Sequence, residues 1–140
     1  LPERHVHMME RRFSKLKLLE DGEFESRNTD ASIAVMPWGG SKGPTDEAYD
    51  ILVEHNQKVA WYYTMFLHPL PAKLLEELLQ KDLVLVPELN FQGQFSGYLR
   101  SLGIKAESIT QYTGLPFNVT DLAQRLEERL GAVIKGTVKA

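Results

Sequence analysis

The run Leu83-Val84-Leu85-Val86 narrows what this chain can become more than any other segment. Four consecutive aliphatic side chains leave no polar face, so a strand built from them must be covered on both sides. That demands a sheet with helices above and below it, and the flanking sequence offers both. Residues 32–36 read as a second apolar strand, and 59–65, rich in aromatic and β-branched residues, as a third. A weaker strand is expected at 106–112. Between them, helical periodicity marks 44–56, 71–80, 91–102 and 118–130, with Leu74, Leu75, Leu78 and Leu79 along one side of the second. Four strand–helix alternations with short connectors predict a three-layer α/β/α fold around a mostly parallel sheet.

The ends carry different signals. Asn118 suits the N-cap of the last helix with Asp121 three residues on, and Val119, Leu122, Leu126 and Leu130 form its buried stripe. Gly131 then reads as its C-cap. Near the start, Val6, Met9, Phe13 and Leu16 recur at helical spacing over residues 3–19, with Glu10, Arg11, Arg12 and Lys15 opposite. Residues 21–30 are polar and read as a loop or linker, with only a faint signal for a short edge strand within 16–25. The organisation expected is a helical arm and linker from a preceding domain over 1–30, an α/β domain over 31–131, and an extended or disordered tail over 132–140. The chain opens on Leu1-Pro2 rather than Met, which reads as a fragment or a processed product.

Composition excludes several kinds of function. A net charge of −3 over 140 residues gives no electrostatic case for nucleic acid or an anionic membrane. No apolar run has the length of a membrane span, and no signal peptide is visible. With no cysteine, the chain supplies no thiolate nucleophile and no ligand set for an iron–sulfur cluster. Absence of cysteine fits a cytoplasmic setting. His5, His7, His55 and His68 stand at no recognised metal spacing.

In an open α/β sheet the carboxyl ends of the strands are where ligands bind. Here that rim gathers Ser41, Lys42, Gly43, His68, Glu88, Asn90 and Gln94 as a candidate anion site or interface. The stretch "WGGSKGP" at 38–44 matches neither G-x-G-x-x-G nor a P-loop. It reads as a tight turn with Pro44 at the first helical position, although free N–H groups and Lys42 can also receive an anion. His68 lies in a stiff proline-flanked connector, and no partner is identifiable that would make it a general base. Asn90 reads as a helix cap, with Glu88 and Gln94 tying down the loop, or together with it as a polar pocket floor. Gly93 and Gly97, four apart, share one helix face open to close backbone approach. Trp38 and Trp61 read as core or interface residues. These features leave open a freestanding module that binds a small ligand or nucleotide.

The order "WGGSKGP", "LHPLP", "LVLVPELNFQGQFSGYLR" and "QYTGLPF", preceded by "HVHMMERRFSKLKLL", resembles the C-terminal, transketolase-C-terminal-like domain of 2-oxoacid:ferredoxin oxidoreductase alpha subunits. It covers about residues 4–130. The chain departs from the family pattern at Gly40-Ser41, at Leu70 between two prolines, and at Pro87, whose missing N–H is expected to end the strand there. The resemblance implies a fold with an added antiparallel edge strand, about five strands in all. It also implies membership of an enzyme that turns a 2-oxoacid and coenzyme A into acyl-CoA and CO2, with electrons passed to ferredoxin. Thiamine diphosphate, magnesium and iron–sulfur clusters are the cofactors implied for the whole enzyme. None is expected on this chain, which is inert alone and serves assembly with other domains or subunits.

Overall fold

The computed structural model describes residues 23–89, 94–111 and 115–134. Five strands form one sheet: β1 (Phe24–Arg27), β2 (Ile33–Val35), β3 (Ala60–Thr64), β4 (Leu83–Glu88) and β5 (Ala106–Thr110). Four helices alternate with them: α1 (Lys42–Glu54), α2 (Ala72–Leu79), α3 (Gln94–Ser101) and α4 (Val119–Ile134). The strand order is β1-β3-β2-β4-β5, parallel throughout except for β1, which runs antiparallel to β3. This is the mostly parallel α/β architecture that the alternation predicts. The amphipathic arm expected at 3–19 lies outside the described residues.

Period-two alternation divides the strands' side chains between two cores. Ile33, Val35, Trp61, Leu83, Leu85 and Ile109 pack on one face with Ala48, Tyr49 and Leu52 of α1 and Leu122, Leu126 and Leu130 of α4. Ala34, Met36, Tyr62, Val84 and Val86 pack on the other with Leu74 and Leu78 of α2 and Phe95 and Leu99 of α3. The central run Leu83-Val84-Leu85-Val86 is buried along its whole length, as a strand covered on both sides must be.

Four local expectations need correction. The segment read as a linker over 21–30 contains β1, whose register sets Phe24 against Thr64 and Arg27 against Trp61, so the sheet begins before residue 31. Phe-Glu-Ser-Arg has no strong strand pattern, and β3 supplies the pairing that makes it a strand. Next, β4 does not stop at Pro87, which lies opposite Ile109 in the ladder to β5 while the strand runs on to Glu88. The Leu85 carbonyl accepts the Met36 N–H, so the main-chain groups of Pro87, two residues on, face the same side. There β2 has already ended at Val35, and the missing N–H breaks no ladder bond. The first helix starts at Lys42, which makes Pro44 its third residue, where the N–H still has no intrahelical partner. Finally, α4 continues through Gly131 to Ile134, so Gly131 is an interior residue and the tail begins later than residue 132. The expected start of that helix holds: Asn118 Oδ1 accepts the Asp121 main-chain N–H at 3.0 Å.

Candidate functional site

The turn after β2 brings the carboxyl ends of β2 and β4 together. Gly39 has φ +59, the left-handed region that favours glycine, and residues Gly39–Ser41 make one 3-10 turn. At Gly40 a Cβ would stand 3.1 Å from Leu89 Cδ1, so this glycine permits close approach to the loop after β4. A side chain at Gly43 would meet open space, and at Gly97 only the Arg100 guanidinium at 3.7 Å, so neither glycine is required by packing. Gly93 lies outside the described residues.

Ser41 is fully buried at the end of that turn. Its Oγ accepts the Trp38 N–H at 3.1 Å and lies 2.7 Å from the Pro87 carbonyl, to which it donates. The hydroxyl therefore clips β2's exit onto β4's and faces inward, away from the rim. Lys42 is half-buried. Its Nζ pairs with Asp46 Oδ2 at 2.8 Å, one helical turn on, and lies over the rings of Tyr63 (4.8 Å) and Trp61 (5.5 Å). The ammonium thus has an anion of its own chain beside it, and is held across β3 rather than extended to solvent.

Glu88 ends β4 with no exposure at all. Its carboxylate accepts the main-chain N–H groups of Phe95 (2.7 Å) and Ser96 (3.2 Å) and the Ser108 hydroxyl (3.0 Å). The first turn of α3 has N–H groups without intrahelical acceptors, and the carboxylate meets two of them. This is an internal cap that ties β4, α3 and β5 together. Gln94, the first residue of α3, is exposed; Asn90 lies outside the described residues.

His68 is exposed on the connector after β3, and its peptide to Pro69 is cis. The imidazole lies against Tyr98 with ring centroids 4.4 Å apart, while the Tyr98 hydroxyl donates to the Leu67 carbonyl. Trp38, half-buried, stacks on Phe95 at 5.5 Å. Trp61 is a core residue.

Among the described residues, the expected side chains near the strand ends do not form one polar site. Ser41 and Glu88 are engaged inside the fold, Lys42 is neutralised by Asp46, and Gly43, His68 and Gln94 are exposed. Two large apolar side chains also stand exposed at strand exits: Met65 after β3 is 76% exposed and Leu115 after β5 is 64% exposed. Both lie in runs that read as strand and turn, where an outward apolar side chain has no distinctive pattern. Among the described residues no three His, Asp or Glu side chains gather as metal ligands, and no helix is long and apolar enough to cross a membrane.

Three known proteins bear on what these features serve. The 2-oxoglutarate oxidoreductase subunit KorA of Mycobacterium tuberculosis is 30% identical over 132 residues, covering 92% of this chain and 20% of the relative. Subunit alpha of 2-oxoacid:ferredoxin oxidoreductase 2 from Aeropyrum pernix is 29% identical over 133 residues, 86% of this chain and 21% of the relative. Among solved structures, 2-oxoglutarate:ferredoxin oxidoreductase from Magnetococcus marinus, with 2-oxoglutarate, coenzyme A and succinyl-CoA bound, superposes with a TM-score of 0.71 at 31% identity, over 93% of this chain and 24% of that one. This chain spans about a fifth of the length of the curated relatives it matches. No family model matches it.

Proposed function

We propose that this chain, homologous to one part of the alpha subunits of 2-oxoacid:ferredoxin oxidoreductases, is a non-catalytic assembly domain of such an enzyme. The whole enzyme would convert a 2-oxoacid and coenzyme A to acyl-CoA and CO2 and deliver the electrons to ferredoxin. The observation that carries this reading is the division of labour at the rim. Its polar side chains hold strand ends and a helix start together, while Met65 and Leu115 stand exposed beside it. Exposed apolar side chains at the strand exits favour a protein neighbour, another domain or subunit of the same oxidoreductase, over a soluble anion.

The cofactors of the whole enzyme do not fit this chain's own groups. An iron–sulfur cluster needs thiolates, and there is no cysteine. The magnesium–diphosphate site of thiamine enzymes would need a G-D-G…N signature, which this sequence does not contain. Those groups belong to the remaining parts of the enzyme, as does the coupling to ferredoxin and coenzyme A. A cytoplasmic enzyme accords with the same reading.

In the assembled oxidoreductase, Met65→Glu combined with Leu115→Glu is expected to weaken association with the rest of the enzyme by about tenfold or more, because burying one large apolar side chain at an interface is worth ~1.5 kcal/mol or more. Size-exclusion chromatography of the purified complex reads this directly. Lys42→Ala is expected to leave the coenzyme A Michaelis constant unchanged, since Asp46 already occupies the ammonium. Intact assembly of the double variant, together with micromolar binding of a nucleotide or thiamine diphosphate by the isolated chain, would replace this reading with a freestanding ligand-binding module.

A further inference from the structure

Among the described residues no strand pairs with the outer edge of β5, and arginines that come from opposite sides of the sheet hold it at both ends. On its inner side, the Val84 N–H donates to the Lys105 carbonyl (2.8 Å) and the Gln111 N–H to the Glu88 carbonyl (3.2 Å). Main-chain groups alternate in direction along a strand, so the odd-numbered residues of β5 face β4. Ala106, Ser108 and Thr110 therefore aim their carbonyls outward. A row of outward groups is a template for another strand.

Here that row is interrupted. Arg100 Nη1, from α3, donates to the Ala106 carbonyl at 3.2 Å, and Arg125 Nη1, from α4, donates to the Thr110 carbonyl at 3.0 Å. The two helices pack on opposite faces, so each guanidinium reaches the edge from its own side. The Ala106 N–H is turned back onto the Ile104 carbonyl at 3.0 Å. Ser108 alone stands between the two capped positions, and one residue is too few for a ladder. Arg129 adds a bidentate pair with Glu107, at 2.6 and 2.8 Å, which keeps a charged pair beside the same strand.

We propose that Arg100 and Arg125 are edge guards that prevent β5 from pairing with β5 of a second copy of this chain. A second copy is the strand that fits this edge best. The outward residues are symmetric about Ser108, so an antiparallel two-fold pairing sets Ser108 opposite its own counterpart and Ala106 opposite Thr110. The guards remove both outer acceptors of that arrangement. This inference is independent of the enzyme to which the chain is assigned, because it concerns only the sheet's own edge.

The test uses the 140-residue chain with Arg100→Met and Arg125→Met together, substitutions that keep apolar stems and remove the donors. Sedimentation equilibrium is expected to show a species of doubled mass that grows with concentration and is weaker or absent in the parent chain. Amide hydrogen exchange at Ser108 and Thr110 is expected to slow by about tenfold or more at high concentration, as newly paired edge amides do. A folded double variant with the parent's mass distribution and the parent's exchange along β5 overturns the proposal. If the double variant does not fold, Arg125→Met alone frees the Thr110 end of the edge. Concentration-independent exchange at Thr110 in that single variant overturns the proposal equally.

Discussion

Glu88→Ala is expected to lower the stability of the chain by about 3–4 kcal/mol, since it leaves two main-chain N–H groups and a hydroxyl buried without their acceptor. The side chain has no exposure, and Phe95 N–H, Ser96 N–H and the Ser108 hydroxyl all converge on it. The Ser96 and Ser108 hydroxyls are also hydrogen-bonded to each other, so the loss spreads through a small connected network. Glu88→Gln keeps the shape but turns one acceptor into an NH2 that faces a main-chain N–H, for an expected loss of about 2 kcal/mol. Out of a typical total of roughly 5–15 kcal/mol, the alanine variant is close to the margin of folding. Urea unfolding of the three proteins measures both steps. A loss below about 1 kcal/mol for the alanine variant would mean that the network is not held by the carboxylate.

Lys81→Ala is the second large effect, expected at about 2–3 kcal/mol near neutral pH from two carbonyls left without a donor and a lost aliphatic stem. Lys81 is buried between α2 and β4, where its Nζ donates to the carbonyls of Thr29 (2.5 Å) and Ala31 (2.7 Å) and lies 5.5 Å from the centre of the Tyr62 ring. These bonds join the turn after β1 to the start of β4, elements far apart in sequence. Burial holds the ammonium below the usual lysine value of 10.5, although Glu77 and Asp30 pull it upward. The sign of the pH effect follows from that direction. Between the lowered folded value and 10.5, the unfolded chain binds more protons than the folded one, so this group makes stability rise with pH across that window. Tyr62 and Tyr49 act the other way at higher pH. Burial raises both phenols above 10.0, so the folded chain keeps protons the unfolded chain has lost, and stability falls as pH rises beyond that point. Thermal unfolding followed through the alkaline range should therefore carry a contribution that rises below pH 10.5 and one that falls above 10.0 in the parent, and Lys81→Met should lack the rising part. An identical profile in that variant would exclude Lys81 as its source.

Most of the element order was legible from one dimension. Leu83-Val84-Leu85-Val86 has no polar face, which is possible only for a strand covered twice, and the sheet covers it twice. Asn118 before an amphipathic run marks a helix start because its side-chain oxygen can reach an N–H three residues on, and it does. These signals are local: they depend on a residue and its neighbours within one turn or one pleat. β1 was only faintly legible from its own residues, and its antiparallel edge position was expected from the family resemblance alone, because Phe-Glu-Ser-Arg is a strand only through its antiparallel register with β3, which lies beyond β2 and the whole of α1 in sequence.

The candidate site shows the same division more sharply. Sequence alone determined which residues stand at the carboxyl ends of the strands, because strand ends follow from where the apolar runs stop. It also excluded cysteine chemistry outright. Only the tertiary structure decided which way those residues face. Ser41 turns inward because the Pro87 carbonyl of a strand 46 residues later stands 2.7 Å from its hydroxyl. Glu88 turns inward because the unpaired N–H groups of α3 lie just beyond it. Lys42 lies across Tyr63 because β3 takes its place beside β2 in the sheet. Ser41's acceptor and the rings beside Lys42 are distant in sequence and adjacent only after strand order is established, so no local pattern encodes them; the Glu88 partners lie only seven and eight residues on, and its role in tying down that loop was legible.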